Sequence, residues 1–210
     1  MYPPRWFLPY DIIIQLVMTL VSMGIAVYAL RGFRWVKERS LYFLYLAFVL
    51  LAIGFFVSGV TFGIDFLGKF SGPGGTLPSV PILDLGTLAY YVFSIVAYAI
   101  LAYAYFRNVR DASIAVAVFG TIFMTAAPVL ETVVIVLLFM IIFAQLIHLS
   151  VRRSRSAMAV CGSFGLILLS HVLILTSSVE SEDFYIVGKI LELVAFVVLL
   201  LLLLRMRGPQ

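Results

Sequence analysis

The sequence predicts an all-α integral membrane protein: a bundle of seven transmembrane helices with the N-terminus outside and the C-terminus in the cytoplasm. Three observations lead there. Of the 210 residues, 64% are hydrophobic and 11% charged, and the mean hydropathy is +1.17; soluble domains carry roughly 25% charged residues, so this much apolar surface requires a bilayer as its solvent. Charged clusters cut the chain into apolar runs close to the roughly 20 residues that cross hydrocarbon as a helix. Lysine and arginine then collect in alternate connections between those runs. The charge deficit leaves no room for a separate soluble domain, and residues 1–210 are expected to form one membrane domain.

The first span is expected over 11–31. The residues before it hold one positive charge, three prolines and no small-residue cleavage site, so they do not read as a cleaved signal peptide, and the helix is retained. Arg31, Arg34, Lys37 and Arg39 separate it from the second span, 40–64. From Asp65 to Leu83 the chain contains Gly72-Pro73-Gly74-Gly75 and two further prolines, and an irregular external segment is expected there, either a lid or a plain connector. The third span, 84–106, ends at Arg107 and Arg110, and the fourth, 112–127, is short and stops at Pro128. The fifth, 129–151, runs into Arg152, Arg153 and Arg155; the sixth and seventh follow over 157–178 and 184–205, with Arg205 and Arg207 at the end.

If the count is seven, all of these basic groups fall on one side. The other side has Arg5 and Lys69 alone beside Asp11, Asp65, Asp84, Glu131, Glu180, Glu182 and Asp183. This is the positive-inside pattern of a multi-pass protein, with the plasma membrane the expected location.

The first three and last three spans run in the same directions, and residues 48–55 can be laid on 164–171, which suggests a 3+1+3 parallel repeat. Two parallel three-helix repeats joined by a linker helix resemble, in topology alone, the sugar-efflux transporters of the SWEET type. No Pro-Gln pair stands within a helix here, and Pro209-Gln210 lies beyond the last span.

Polar residues inside spans are costly and mark the first places to look for function. Asp11, Gln15, Thr19 and Ser22 recur at steps of four, four and three on one face of the first span. Gly54, Ser58, Thr61 and Asp65 do the same on the second, and Tyr91, Ser94, Tyr98 and Tyr105 on the third, with Tyr90 beside them. The fifth carries Glu131, Leu138 and Gln145, then His148; the sixth Ser163, Ser170 and His171; the seventh Tyr185, Lys189 and Glu192. Counted at about 1.5 Å per residue, most of these lie in the outer half.

Two readings stay open. One is an externally open pocket lined by Gln15, Thr19, Tyr91, Glu131, His171, Lys189 and Glu192 that binds a small ligand or ion. In the other, the hydroxyls bond between helices and Lys189 and Glu192 neutralise each other. Glu131 and Asp11 sit near enough to the interface to be merely solvated.

Other chemistries are disfavoured. Cys161 is the only cysteine, which rules out an internal disulfide and a cysteine-based metal cluster. A lysine on the seventh helix invites comparison with the retinal Schiff base of microbial rhodopsins, but Tyr185, not a carboxylate, precedes Lys189 by four and the third span has only Asp84 at its end. His148 and His171 differ by more than about 10 Å in depth, too far to share a haem iron. Ser170 and His171 are adjacent, so their side chains diverge by about 100° around the helix and make a poor hydrolytic pair. No phosphate-cradling loop is present, and no cofactor, metal or nucleic acid is expected.

The arginine clusters can touch anionic lipid headgroups or act only as topology determinants. What remains is a binding or transport bundle, with two alternatives: a sensor acting through a membrane partner, or a non-catalytic subunit of a larger complex that presents leucine-rich 199–204. Gly162 and Gly165 permit close helix contact inside the chain or in a homo-oligomer. An enzyme is the least supported class.

Overall fold

The computed structural model describes residues 3–4, 6–70, 79–106, 127–151, 155–177 and 181–205. All the regular structure among them is helical: α1 Leu8–Val36, α2 Arg39–Phe70, α3 Ser79–Phe106, α4 Ala127–Val151, α5 Arg155–Thr176 and α6 Glu182–Arg205. All six are long and apolar enough to cross a membrane. The expected fourth span, 112–127, lies outside the described residues except for Ala127, which opens α4.

All the helices but α5, which equals its hydropathy run in length, are longer than the runs. The main correction falls on Asp65–Leu83, expected to be irregular: α2 continues through Asp65 to Phe70 and α3 begins at Ser79, leaving only 71–78 outside the described residues. Pro81 is compatible with this, because the first turn of a helix has no backbone partner for the N–H that proline lacks. At the other end of the bundle α1 stops at a left-handed Lys37, φ 55°, whose N–H donates to the Phe33 carbonyl at 2.7 Å. That closed turn lets α2 start at Arg39.

The helices pack as a closed ring in chain order, α1 against α2 and so on round to α6, which returns to α1. Directions follow from which residues meet. Gly59, late in α2, lies on Gln15, early in α1, and Gly188, early in α6, lies on Ser170 and Ile174, late in α5; both pairs are antiparallel. Tyr185 of α6 reaches Asp11 of α1, each near its helix start, so those two run parallel. Helices α3 and α4 are parallel as well: Tyr91 meets Glu131, and 14 residues further along each helix Tyr105 meets Gln145.

One end of the ring therefore carries Asp11, Asp65, Asp84, Glu131, Glu182 and Asp183. The opposite end carries Arg31, Arg34, Lys37, Arg39 and Arg205.

In lipid, packing and polar contacts rather than water exclusion hold helices together. The buried face of α1 is Leu8, Asp11, Gln15, Met18, Ser22, Ile25, Ala26 and Ala29, while Leu16, Leu20, Met23 and Val27 are exposed to the surroundings. The arrangement is polar inside and apolar outside. Glycine permits three close approaches: a Cβ at Gly86 would overlap the Thr61 side chain, 2.6 Å from its Cβ, one at Gly54 would stand 3.1 Å from Phe93 Cβ, and one at Gly188 would stand 2.9 Å from the Ser170 carbonyl oxygen and 2.8 Å from Ile174 Cγ1. Around Gly162 and Gly165 no described atom comes within 4 Å of such a Cβ, so neither glycine serves helix packing among the described residues. Toward the basic end the core is mainly apolar, with Phe48, Phe55 and Phe196 in edge-to-face contact and Leu138, Ile141 and Ile167 wholly buried, although Gln145 and Ser163 are buried there too.

Candidate functional site

Five of the six helices bring ionisable or hydrogen-bonding side chains to one buried cluster. From α6, Glu192 lies about 15 Å from the helix start at 1.5 Å per residue, with no exposed surface. Its Oε2 accepts from Lys189 Nζ at 3.0 Å, one turn earlier on the same face. Its Oε1 accepts from the Tyr90 hydroxyl of α3 at 3.2 Å, and the Lys189 ammonium stands 5.1 Å from the centre of the Tyr90 ring, a cation–π contact.

Helices α4 and α5 contribute the second pair. His171 Nδ1 lies 2.7 Å from Glu131 Oε1, so one hydrogen is shared along this contact, carried by the nitrogen whenever the carboxyl is ionised. Tyr91 of α3 also reaches the Glu131 carboxylate. The far nitrogen of the ring, Nε2, is 4.0 Å from Glu192 Oε1 and has no hydrogen-bond partner among the described residues. Tyr98 meets the imidazole edge-on, with ring centroids 6.2 Å apart. His171 therefore stands between two acids that belong to different helices.

Helix α1 supplies the third acid. Asp11 Oδ2 accepts from Gln15 Nε2 at 2.9 Å and from the Tyr185 hydroxyl at 3.3 Å. Its Oδ1 and the Gln15 Oε1, both acceptors, are buried without a hydrogen-bond partner among the described residues.

A cavity of about 30 Å³ adjoins Lys189, walled by Tyr90, Tyr91, Glu131 and Tyr185 with Phe62, Thr87 and Ile174. A water needs roughly 10–15 Å³ of such space. The cavity has room for a water or two, or a bare ion.

Six of the seven residues expected to line a pocket, Gln15, Tyr91, Glu131, His171, Lys189 and Glu192, are buried in or beside this cluster. Thr19 is half-buried, and its hydroxyl turns back to the Gln15 carbonyl at 2.8 Å. Asp11 and Glu131, expected to be near enough to the interface for solvation, are 0% and 1% exposed; neighbouring helices cover them. Ser170 donates to the Ile167 carbonyl of its own helix at 2.7 Å, as the divergence from His171 predicts. The side chain of His148 lies outside the described residues. The sequence reading did not place Asp11, Tyr90 and Tyr185 among the lining residues, although the Asp11–Gln15 spacing and the Tyr185–Lys189–Glu192 run were the signals that could have done so.

Among the described residues, no group of three or more histidine, cysteine or acidic side chains is arranged to hold a metal ion. The chain matches no protein-family profile, no curated protein and no solved structure.

Proposed function

We propose that the chain is a seven-helix membrane protein that binds a small cation, a proton at the Glu131–His171–Glu192 group or an alkali ion at the free acceptors of Asp11 and Gln15, and carries it across the bilayer. One observation carries the reading. Among the described residues, three carboxyl groups, each no more than 1% exposed, share their surroundings with one ammonium and one imidazole. Even with both bases charged, the three acids leave one negative charge over, and uncompensated charge inside a bundle is expensive. Uptake of one proton or one monovalent cation restores neutrality. The unpartnered atoms suit both: Asp11 Oδ1 and Gln15 Oε1 are acceptors for a cation, and His171 Nε2 can take a proton. The cavity size favours an ion over the larger solutes that the sequence left open.

The parallel packing of α3 and α4 supports a seventh crossing. Helix α3 ends at the basic end of the bundle and α4 begins at the acidic end, which is the change of side that the expected fourth span, 112–127, would supply. The basic end then faces the cytoplasm and the acidic end, where α1 starts, faces outward, as expected for a plasma-membrane protein. A parallel repeat relating α1–α3 to α4–α6 is supported by an acid one turn into the first helix of each triplet, Asp11 and Glu131, and by the aligned buried pairs Phe48 with Phe164 and Phe55 with His171.

The test is flux into vesicles. Purified protein is reconstituted around a pH-sensitive dye and an Na⁺ or K⁺ gradient is imposed. The expected result is proton or cation movement faster than in protein-free vesicles, strongly reduced by Asp11→Asn and by Glu192→Gln. Vesicles no leakier than protein-free ones rule out transport. A melting temperature that still depends on the cation would then make the protein a sensor, and one that does not would favour a structural subunit.

A further inference from the structure

At the opposite end of the bundle a second cavity, about 500 Å³, lies between the last turns of α1 and α6 and the first turn of α2. It falls within the roughly 300–1,000 Å³ that ligand sites occupy. Its lining joins two chemistries. Buried Ala29 and half-buried Leu41 and Leu203 give it an apolar lining, exposed Arg31 and Trp35 line it where it meets the surface, and half-buried Tyr28 completes it. Trp35 is 89% exposed, and an amphipathic indole left in the open at the end of a spanning helix belongs at headgroup level.

The surroundings select the charge of the occupant. The closed turn at Lys37 brings Arg34, Lys37 and Arg39 together beside Arg31, and Arg205 ends α6 on the same side; all five are exposed. The one acid in that turn, Glu38, accepts from the Ser40 hydroxyl at 2.9 Å. Leu200, one turn before Leu203 on the same face of α6, lies against Gly24 of α1 and continues the apolar lining along that seam. A site with a cation and an indole at the surface and an apolar lining matches a lipid with a negatively charged phosphate headgroup.

We propose that this groove holds one anionic phospholipid, with its phosphate at Arg31 and its glycerol and upper acyl chain along Tyr28, Trp35 and Leu203. The site is separate from the carboxylate cluster and does not depend on what that cluster binds. Arginine suits the role because its planar fork engages two phosphate oxygens at once.

Native mass spectrometry tests it, on protein released from mixed micelles holding equal amounts of phosphatidylglycerol and phosphatidylcholine. The expected spectrum shows one phosphatidylglycerol retained in preference to phosphatidylcholine. Arg31→Gln should weaken that retention about fivefold, the effect of one lipid-facing cation, and Gly32→Leu, which fills the groove, should abolish it. Arg39→Gln, outside the lining, should change it by less than the Arg31 variant does. Equal retention of the two lipids overturns the proposal. So does an equal loss in the Arg31 and Arg39 variants, which would mean a diffuse basic surface, or full displacement of the lipid by inorganic phosphate, which would mean a phosphate site without an acyl part. Unfolding curves of the delipidated variants, expected to overlay the parent because Arg31 is exposed, separate lost binding from lost folding.

Discussion

Glu192 and Phe196 lie one turn apart on α6 and are both wholly buried, yet they are held by different physics. Phe196 packs on Phe48 and Phe55, with ring centroids 6.0 and 5.4 Å away, and such contacts depend on shape alone. Glu192 is held by Lys189, Tyr90 and, more distantly, His171, so its position depends on charge and hydrogen placement. A bundle made entirely in the first way would be indifferent to ions. The polar level is what makes this one chemically addressable.

The comparison can be tested by changes that keep size and alter one property. Glu192→Gln keeps the shape and removes the charge, and it leaves Lys189 buried without its nearest counter-charge. It should cost about 3–5 kcal/mol, since breaking a buried pair strands the partner, read as a lowered thermal unfolding midpoint in detergent. Lys189→Leu combined with Glu192→Leu should recover most of that loss while staying silent in the flux assay. If the single variant is as stable as the parent, the pair contributes no stability and the two levels do not differ as described.

Gly188→Ala should cost about 1–3 kcal/mol, the usual price of overpacking, because the new methyl meets the Ser170 carbonyl backbone, which cannot swing aside as a side chain would. Helices α5 and α6 would have to separate, and the His171–Glu192 spacing would open with them, so flux should fall together with stability. Leu138→Met is the smallest change. Leu138 is wholly buried in the apolar level, and a swap of similar volume there should cost under about 1.5 kcal/mol with flux unaffected. A large flux defect in Leu138→Met would extend the functional region into the apolar half.

Much of the site was legible in the sequence. Lys189 and Glu192 stood out because leucine would be free of desolvation cost at either position, and the three-residue step puts them on one face of any helix. The buried stripe Glu131, Leu138, Gln145 follows from the same periodicity. The environment of Asp11 was not legible. Counting depth from a helix end places it near water, but burial there is decided by Tyr185, 174 residues away in sequence, and no local pattern encodes that contact. Hydropathy likewise missed the extent of α2, because backbone hydrogen bonding carries the helix through Asp65 to Phe70, past the point where the apolar window ends.

The sequence by itself determined that the chain is helical and needs a bilayer, and which face of each helix is polar, because composition and a 3.6-residue period act locally along the chain. Only the tertiary structure decided that α3 and α4 run parallel, that acids from α1, α4 and α6 converge, and that His171 stands between two of them. Those are distances between helices, set by how side chains and the glycine approach at Gly188 fit together, and a one-dimensional period carries no information about which faces meet.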